Sequence, residues 1–231
     1  MHYWKEGFKV KRELMWKWLF FFVGLAVMTF GVSMIVEGKA LGVGPWDVLH
    51  IALFERIGLS IGTWAIITGV IIVGSTSLLL KEWPKLATCL NMILCGVFID
   101  FFNWLLPNSP SALFDVLYFL GGVIVLGVGC ALYISPKLGA GPRDTLMILF
   151  SKKFGCSIGN ARLAMEAMIA MIGWALGGPI GLGSIIIALF TGYIVQISLP
   201  LFERLLKSRL DSEGLANDRS PKNIEHLAKE I

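Results

Sequence analysis

The sequence predicts an all-α integral membrane protein with six transmembrane helices arranged as two inverted three-helix repeats. Three observations carry that reading: an apolar composition, six stretches of spanning length, and a glycine-rich phrase that is spelled twice. Of 231 residues, 56% are hydrophobic and 16% charged, and the mean hydropathy is +0.75. A soluble domain carries about 25% charged residues, which it needs to cover its core. Here the surface itself must be apolar.

A bilayer core of about 30 Å takes about 20 apolar residues per helix. Residues 15–36, 61–80, 86–106, 112–135, 158–177 and 182–203 each meet that need. The first stretch follows Lys9, Lys11, Arg12 and Lys17. It is too long for a signal-peptide core and has no small-residue cleavage site, so it reads as a retained helix.

Between the first and second stretches lies "ALGVGPWDVL", and between the fourth and fifth lies "KLGAGPRDTL". Each is followed by a segment too short to span, 46–57 or 143–154, which reads as a re-entrant or interfacial helix. A shift of 97 residues takes Gly42 to Gly139, Gly44 to Gly141, Pro45 to Pro142 and Asp47 to Asp144. The same shift takes Gly24 to Gly121 and "SIG" at 60–62 to "SIG" at 157–159. After a one-residue deletion, Gly96 maps to Gly192 and Asp100 to Gln196. The chain is therefore read as residues 1–14, a cytoplasmic segment; 15–106, a first repeat; 112–203, a second; and 205–231, a polar cytoplasmic tail.

Three spans per unit are an odd number, so the second unit enters the membrane from the opposite side. The basic residues agree with that. With the N-terminus inside, the inner segments hold the N-terminal Lys/Arg group, Lys81, Lys85, Lys137, Arg143, Lys152, Lys153, Arg204, Lys207 and Arg209, whereas the outer ones hold only Lys39 and Arg56. Both termini are expected in the cytoplasm, the first glycine phrase outside and the second inside. In the tail, Ser220 and Pro221 of "SPKNIEHLAKEI" suit the start of a short surface helix.

Several function classes are excluded. The net charge of +4 sits at the ends and in short loops, which sets orientation and offers no basic stripe for nucleic acid. Cys89, Cys95, Cys130 and Cys156 form no CxxC pair or Cys/His cluster, so neither a metal site nor a disulfide framework is expected. The glycine phrases lack the Gly-Lys-Ser/Thr ending of a phosphate loop and the spacing of a dinucleotide fingerprint. No cofactor, catalytic residue or enzymatic activity is expected.

The candidate pathway residues follow from cost. Ionisable groups within spans are expensive and face a cavity or a partner. Glu166 lies about two turns into the fifth stretch, with Arg162 one turn before it on the same face. Asp100 and Gln196 occupy equivalent places towards the ends of their helices. In each phrase the glycines Gly42, Gly44, Gly139 and Gly141 permit close approach, while Pro45 and Pro142 suit a first helical position and the Asp two residues later suits the positive helix end. Asp47 and Asp144 read either as local caps or as paired groups on two broken helices that converge on a pathway. The Glu166–Arg162 pair reads either as a lock between helices or as part of that pathway. His50 reads as an interfacial residue.

"LGVGPWD" with "SIGTWAIITG", and "LGAGPRD" with "SIGNARLAMEA", resemble the YczE/YitT-like family of bacterial membrane proteins. The likeness runs to about residue 205 and implies a small multi-pass protein of the bacterial inner membrane. By analogy with inverted-repeat transporters, the expected function is a secondary transporter or exporter of a small organic solute. The alternative is a non-transporting scaffold or accessory protein for a partner complex. The expected partners are the lipid bilayer and a small-molecule substrate, and a homo-oligomer is compatible with both readings.

Overall fold

The computed structural model describes residues 2–81, 83–139, 141–156 and 158–218. All regular structure among them is helical: α1 (His2–Glu37), a 3-10 turn (Lys39–Leu41), α2 (Pro45–Ile57), α3 (Ile61–Leu80), α4 (Leu86–Leu105), α5 (Ala112–Ile134), α6 (Pro142–Phe154), α7 (Ile158–Ala175) and α8 (Leu182–Asp218).

Five helical stretches are long and apolar enough to cross a bilayer: Arg12–Glu37, Ile61–Leu79, Leu86–Leu105, Ala112–Ile134 and Leu182–Asp211. The sixth expected span, 158–177, is the 18-residue α7. Its described apolar part, Leu163–Ala175, is shorter than a full crossing. Asn160, Arg162 and Glu166 interrupt its first turns. Two other ends differ from the sequence reading. Helix α1 begins at His2, within the segment expected to precede it, and α8 stays helical to Asp218, beyond the expected start of the tail. The surface helix expected after Ser220 lies outside the described residues.

Local chemistry explains the element ends. Pro45 takes a first-turn position of α2, where its missing N–H costs nothing, and Gly58 closes the helix at φ 88° with its N–H donating to Phe54 O. Ser60 caps α3 by accepting from the Thr63 N–H at 3.0 Å. Gly42 adopts φ 105°, and a Cβ there would stand 2.8 Å from the Gly181 nitrogen. Only glycine fits that position.

The centre of the fold is the pair α1 and α5. Gly24 and Gly31 on α1 and Gly38 just after it recur every seven residues, as Gly122 and Gly129 do on α5. A Cβ on Gly24 would lie 2.3 Å from the Tyr133 nitrogen, one on Gly31 2.4 Å from the Leu126 nitrogen, and one on Gly129 2.2 Å from the Met28 nitrogen. The two backbones are in direct contact along a seam, and the pairing order makes them antiparallel. Around it, α4 packs on α1 and α8 on α5, while α2 packs on α3 and α7, and α6 on α7 and α3. The glycine phrases follow the C-terminal ends of α1 and α5, so they leave the seam at opposite ends. Gly42 seats against Gly181 and Ser184 at the start of α8, and Gly139 against Ala87 and Thr88 at the start of α4.

Apolar burial lies on both sides of the seam. One cluster joins Val32, Ile35, Val48, Ile51, Ile99 and Phe119, and a second joins Phe21, Leu25, Ala87 and Tyr133. Large side chains such as Leu78, Trp83, Trp104, Leu163, Trp174 and Leu189 are exposed, as lipid-facing positions require.

The seam yields a test. Gly129→Ala forces backbone atoms apart and should lower stability by about 1–3 kcal/mol, the usual overpacking range. Gly74→Ala, where an added Cβ meets nothing within 4 Å, should be neutral or stabilise by up to about 1 kcal/mol through helix propensity. Thermal unfolding in detergent micelles reads both, and equal melting of the two variants would contradict the seam.

Candidate functional site

Both glycine phrases reach one cavity of about 210 Å³ among the helices. Gly44, Pro45, Trp46 and Asp47 line it from the first phrase and Gly141, Pro142 and Arg143 from the second. The remaining wall includes Thr68 of α3, Asn91 and Cys95 of α4, Tyr133 of α5, Glu166 of α7 and Thr191 of α8. Two helix N-termini, those of α2 and α6, therefore open on the same space and bring partial positive charge to it.

The polar groups on this wall are unevenly satisfied. Asp47 is 6% exposed and Thr191 7%, and Asp47 Oδ1 and Thr191 Oγ1 are buried without a hydrogen-bond partner. Arg143 places its guanidinium 4.8 Å from the centroid of the Trp46 ring, a cation–π distance.

One turn beyond Asp47, His50 is fully buried at 0% exposure. Its Nε2 lies 2.9 Å from Thr68 Oγ1. The Thr68 hydroxyl donates to Trp64 O at 2.9 Å. A hydroxyl has one proton, so with that proton on Trp64 O the histidine contact is Nε2–H donating to Thr68. In the neutral ring Nδ1 then carries a lone pair. It faces Asp47 Oδ1 at 3.9 Å, and it too has no hydrogen-bond partner.

Helix α2 is not one of the spanning helices. Its burial raises the Asp47 carboxyl above the ordinary carboxylate range, against the pull of the Arg143 guanidinium. Burial also lowers the His50 imidazole to about 3, with Arg143 acting in the same direction. Both shifts favour neutral side chains.

Comparison with known proteins places the fold in a family. The family of unknown function DUF6198 matches residues 15–200. The chain belongs to that family. It is 46% identical over 212 residues to the uncharacterized membrane protein YczE of Bacillus subtilis, covering 92% of this chain and 99% of that protein. It is also 25% identical over 196 residues to the uncharacterized protein YyaS of Bacillus subtilis, covering 84% of this chain and 97% of that one. An uncharacterized protein of Haemophilus influenzae is 35% identical over 184 residues, 78% of this chain and 82% of its own. No solved structure matches the chain. The DUF6198 match spans α2 to α7 in full and reaches into α1 and α8, so it contains every wall of the cavity. The chain is a multi-pass membrane protein.

Within this DUF6198 fold the residues singled out by sequence fall in different places. Asp47 and Glu166 line the cavity, as do Gly44, Pro45, Gly141 and Pro142. Gly42 and Gly139 pack on the starts of α8 and α4. The helix backbone carries Asp144 and Arg162, but their side chains lie outside the described residues. Gln196 is exposed on α8. Asp100 is on α4 and reaches the start of α3, where its carboxylate accepts from the Ser60 hydroxyl and, at 2.8 Å, from the Gly62 N–H.

Sequence reasoning placed His50 at the interface, and the structure buries it instead. Its signal was its position three residues after Asp47, which puts both on one helix face. Thr68 and Thr191 gave no signal, because a threonine in an apolar helix commonly bonds its own backbone.

Asp100 offers a clean contrast with the cavity. Asp100→Ala removes the acceptor of two hydrogen bonds and should cost about 1–3 kcal/mol, read as a lower melting temperature and faster proteolysis at residues 58–60. Asp100→Asn keeps one acceptor oxygen and should recover part of the loss. Wild-type melting of Asp100→Ala would contradict the clamp.

Proposed function

We propose that the protein is a secondary transporter or exporter of a small organic solute across the bacterial inner membrane, with the central cavity as its solute compartment. The observation that carries the reading is the meeting of both Gly-x-Gly-Pro-x-Asp phrases at one cavity after leaving opposite ends of the α1–α5 seam. Transporters with inverted repeats place broken helices at such a midpoint, where their N-terminal ends bind solute.

An inverted repeat is supported by three features. The first helices of the two halves, α1 and α5, run antiparallel. Each short helix packs on the third helix of its own half and of the other half. Gly42 and Gly139 seat on the starts of α8 and α4, each the last helix of the opposite half. Two halves packed in this way present equivalent surfaces to the cavity from opposite sides, as alternating access requires. No ATP-binding phrase occurs in the sequence, so the drive in this reading is an ion gradient or a separate subunit.

Purified protein in proteoliposomes, supplied with a panel of radiolabelled amino acids, carboxylic acids and amines, tests the proposal. Flux of at least one compound is expected. Arg143→Gln should reduce it roughly 10- to 150-fold, equivalent to losing one charged hydrogen bond of about 1.5–3 kcal/mol. Flat results across the panel, together with a protein that co-purifies at fixed stoichiometry, would favour the scaffold reading. In a background lacking the four native cysteines, a cysteine at Asn108 should react with an impermeant maleimide from outside the cell. Labelling only from the cytoplasm would reverse the proposed orientation.

A further inference from the structure

We propose that Asp47 and His50 together hold one exchangeable proton at the wall of the cavity, and that this proton is the ion coupled to solute movement. The second half of that statement rests on the transport reading. The first half does not.

With the Thr68 proton used on Trp64 O, His50 carries its own proton on Nε2, and that tautomer calls for a donor between two acceptors. The Nδ1 lone pair then confronts a carboxylate oxygen at 3.9 Å, with both atoms buried and unpartnered. Two lone pairs facing each other out of water repel, and each forfeits the hydrogen bond it would make in solvent. A single proton on Asp47 removes both penalties, because Oδ1–H can then donate to Nδ1 after a small rotation of either side chain. When the Oδ1–H bond breaks, the proton leaves through the cavity that Asp47 lines, and the carboxylate keeps the electron pair.

The surrounding charges make the protonation state responsive to the cavity. Arg143 of α6 reaches the site across the Trp46 ring, and Glu166 of α7 shares the wall. Cys95 of α4 and Cys130 and Tyr133 of α5 are the other titratable groups lining the cavity, while α3 and α8 contribute the hydroxyls of Thr68 and Thr191, and α1 contributes Met28 and Val32. A cationic solute group beside Asp47 favours loss of the proton, and an anionic one favours its retention. Either sign of solute therefore changes proton occupancy, which is what coupling requires.

Infrared difference spectroscopy of the purified protein in detergent, recorded between acidic and alkaline pH, reads the proton directly. The wild type should show a protonated-carboxyl C=O band that titrates. It should vanish in Asp47→Asn, persist in Glu166→Gln, and shift in both His50→Gln and Thr68→Val, which alter the acceptor without touching the carboxyl. Melting curves establish that each variant is folded. A spectrum in which Asp47→Asn leaves every carboxyl band unchanged would overturn the proton site, whatever the flux data show. In proteoliposomes with the same solute panel, an imposed pH gradient should drive accumulation in wild type and fail to drive it in Asp47→Asn. A titrating Asp47 band with no flux of any panel member leaves the proton site standing and defeats transport. Flux that ignores the pH gradient in wild type defeats the coupling.

Discussion

The backbone contact between α1 and α5 is the constraint on which the rest of the structure depends. Helices in a bilayer gain little from hiding apolar side chains from one another, because lipid is equally apolar. Association must come from close packing, and here glycines at every second turn remove the side chains that would hold the backbones apart. Gly24 against Tyr133 and Gly129 against Met28 leave no room for a single methyl group. The contact runs antiparallel, so it fixes where everything attached to each helix can go. The segment after α1 emerges at one end and the segment after α5 at the other.

From those two ends the chain turns back through Gly-x-Gly-Pro, and the turns are held by the opposite half. Gly42 rests on Gly181 and Gly139 rests on Thr88. Each half thereby positions the short helix of the other. The helix starts at Pro45 and Pro142 face the same cavity, so positive helix ends lie close to Asp47 and Glu166. Movement of either half against the seam would alter both phrases at once. This arrangement links the packing to the function proposed for it.

The helical, multi-span architecture was legible in the sequence because its causes are local or periodic, spanning length above all. The ends of α2, α3 and α5 lie within a residue of where composition and capping chemistry put them. The site was legible only in part. Asp47 stood out because the glycine phrase repeats it, Glu166 because a carboxylate in an apolar stretch is costly, and both line the cavity. Asp100 stood out for the same reason, yet it is bound to Ser60 and Gly62, and no property of residues 90–105 alone shows that those donors are adjacent. His50 was hidden for the opposite reason. Its short helix reads as interfacial, and only the packing of α3 and α7 over it removes it from water.

Asp100 and Asp47 differ in how their carboxylates are satisfied. Both sit beside the first turn of a short-loop helix, where backbone N–H groups await acceptors. Asp100 reaches two donors, and the result is a satisfied clamp of the kind that buried polar groups normally form. Asp47 lies at the start of its own helix, beside Gly44, with Oδ1 turned to a lone pair on His50. A purely structural carboxylate in that position would be driven to find a donor, since an unmet buried acceptor costs about 1–3 kcal/mol. With the Thr68 proton committed to the backbone of α3, the network lacks one proton to be complete. In the proposal above, that missing proton is the one exchanged as the cavity fills and empties, a role for which a satisfied clamp such as Asp100 has no open acceptor.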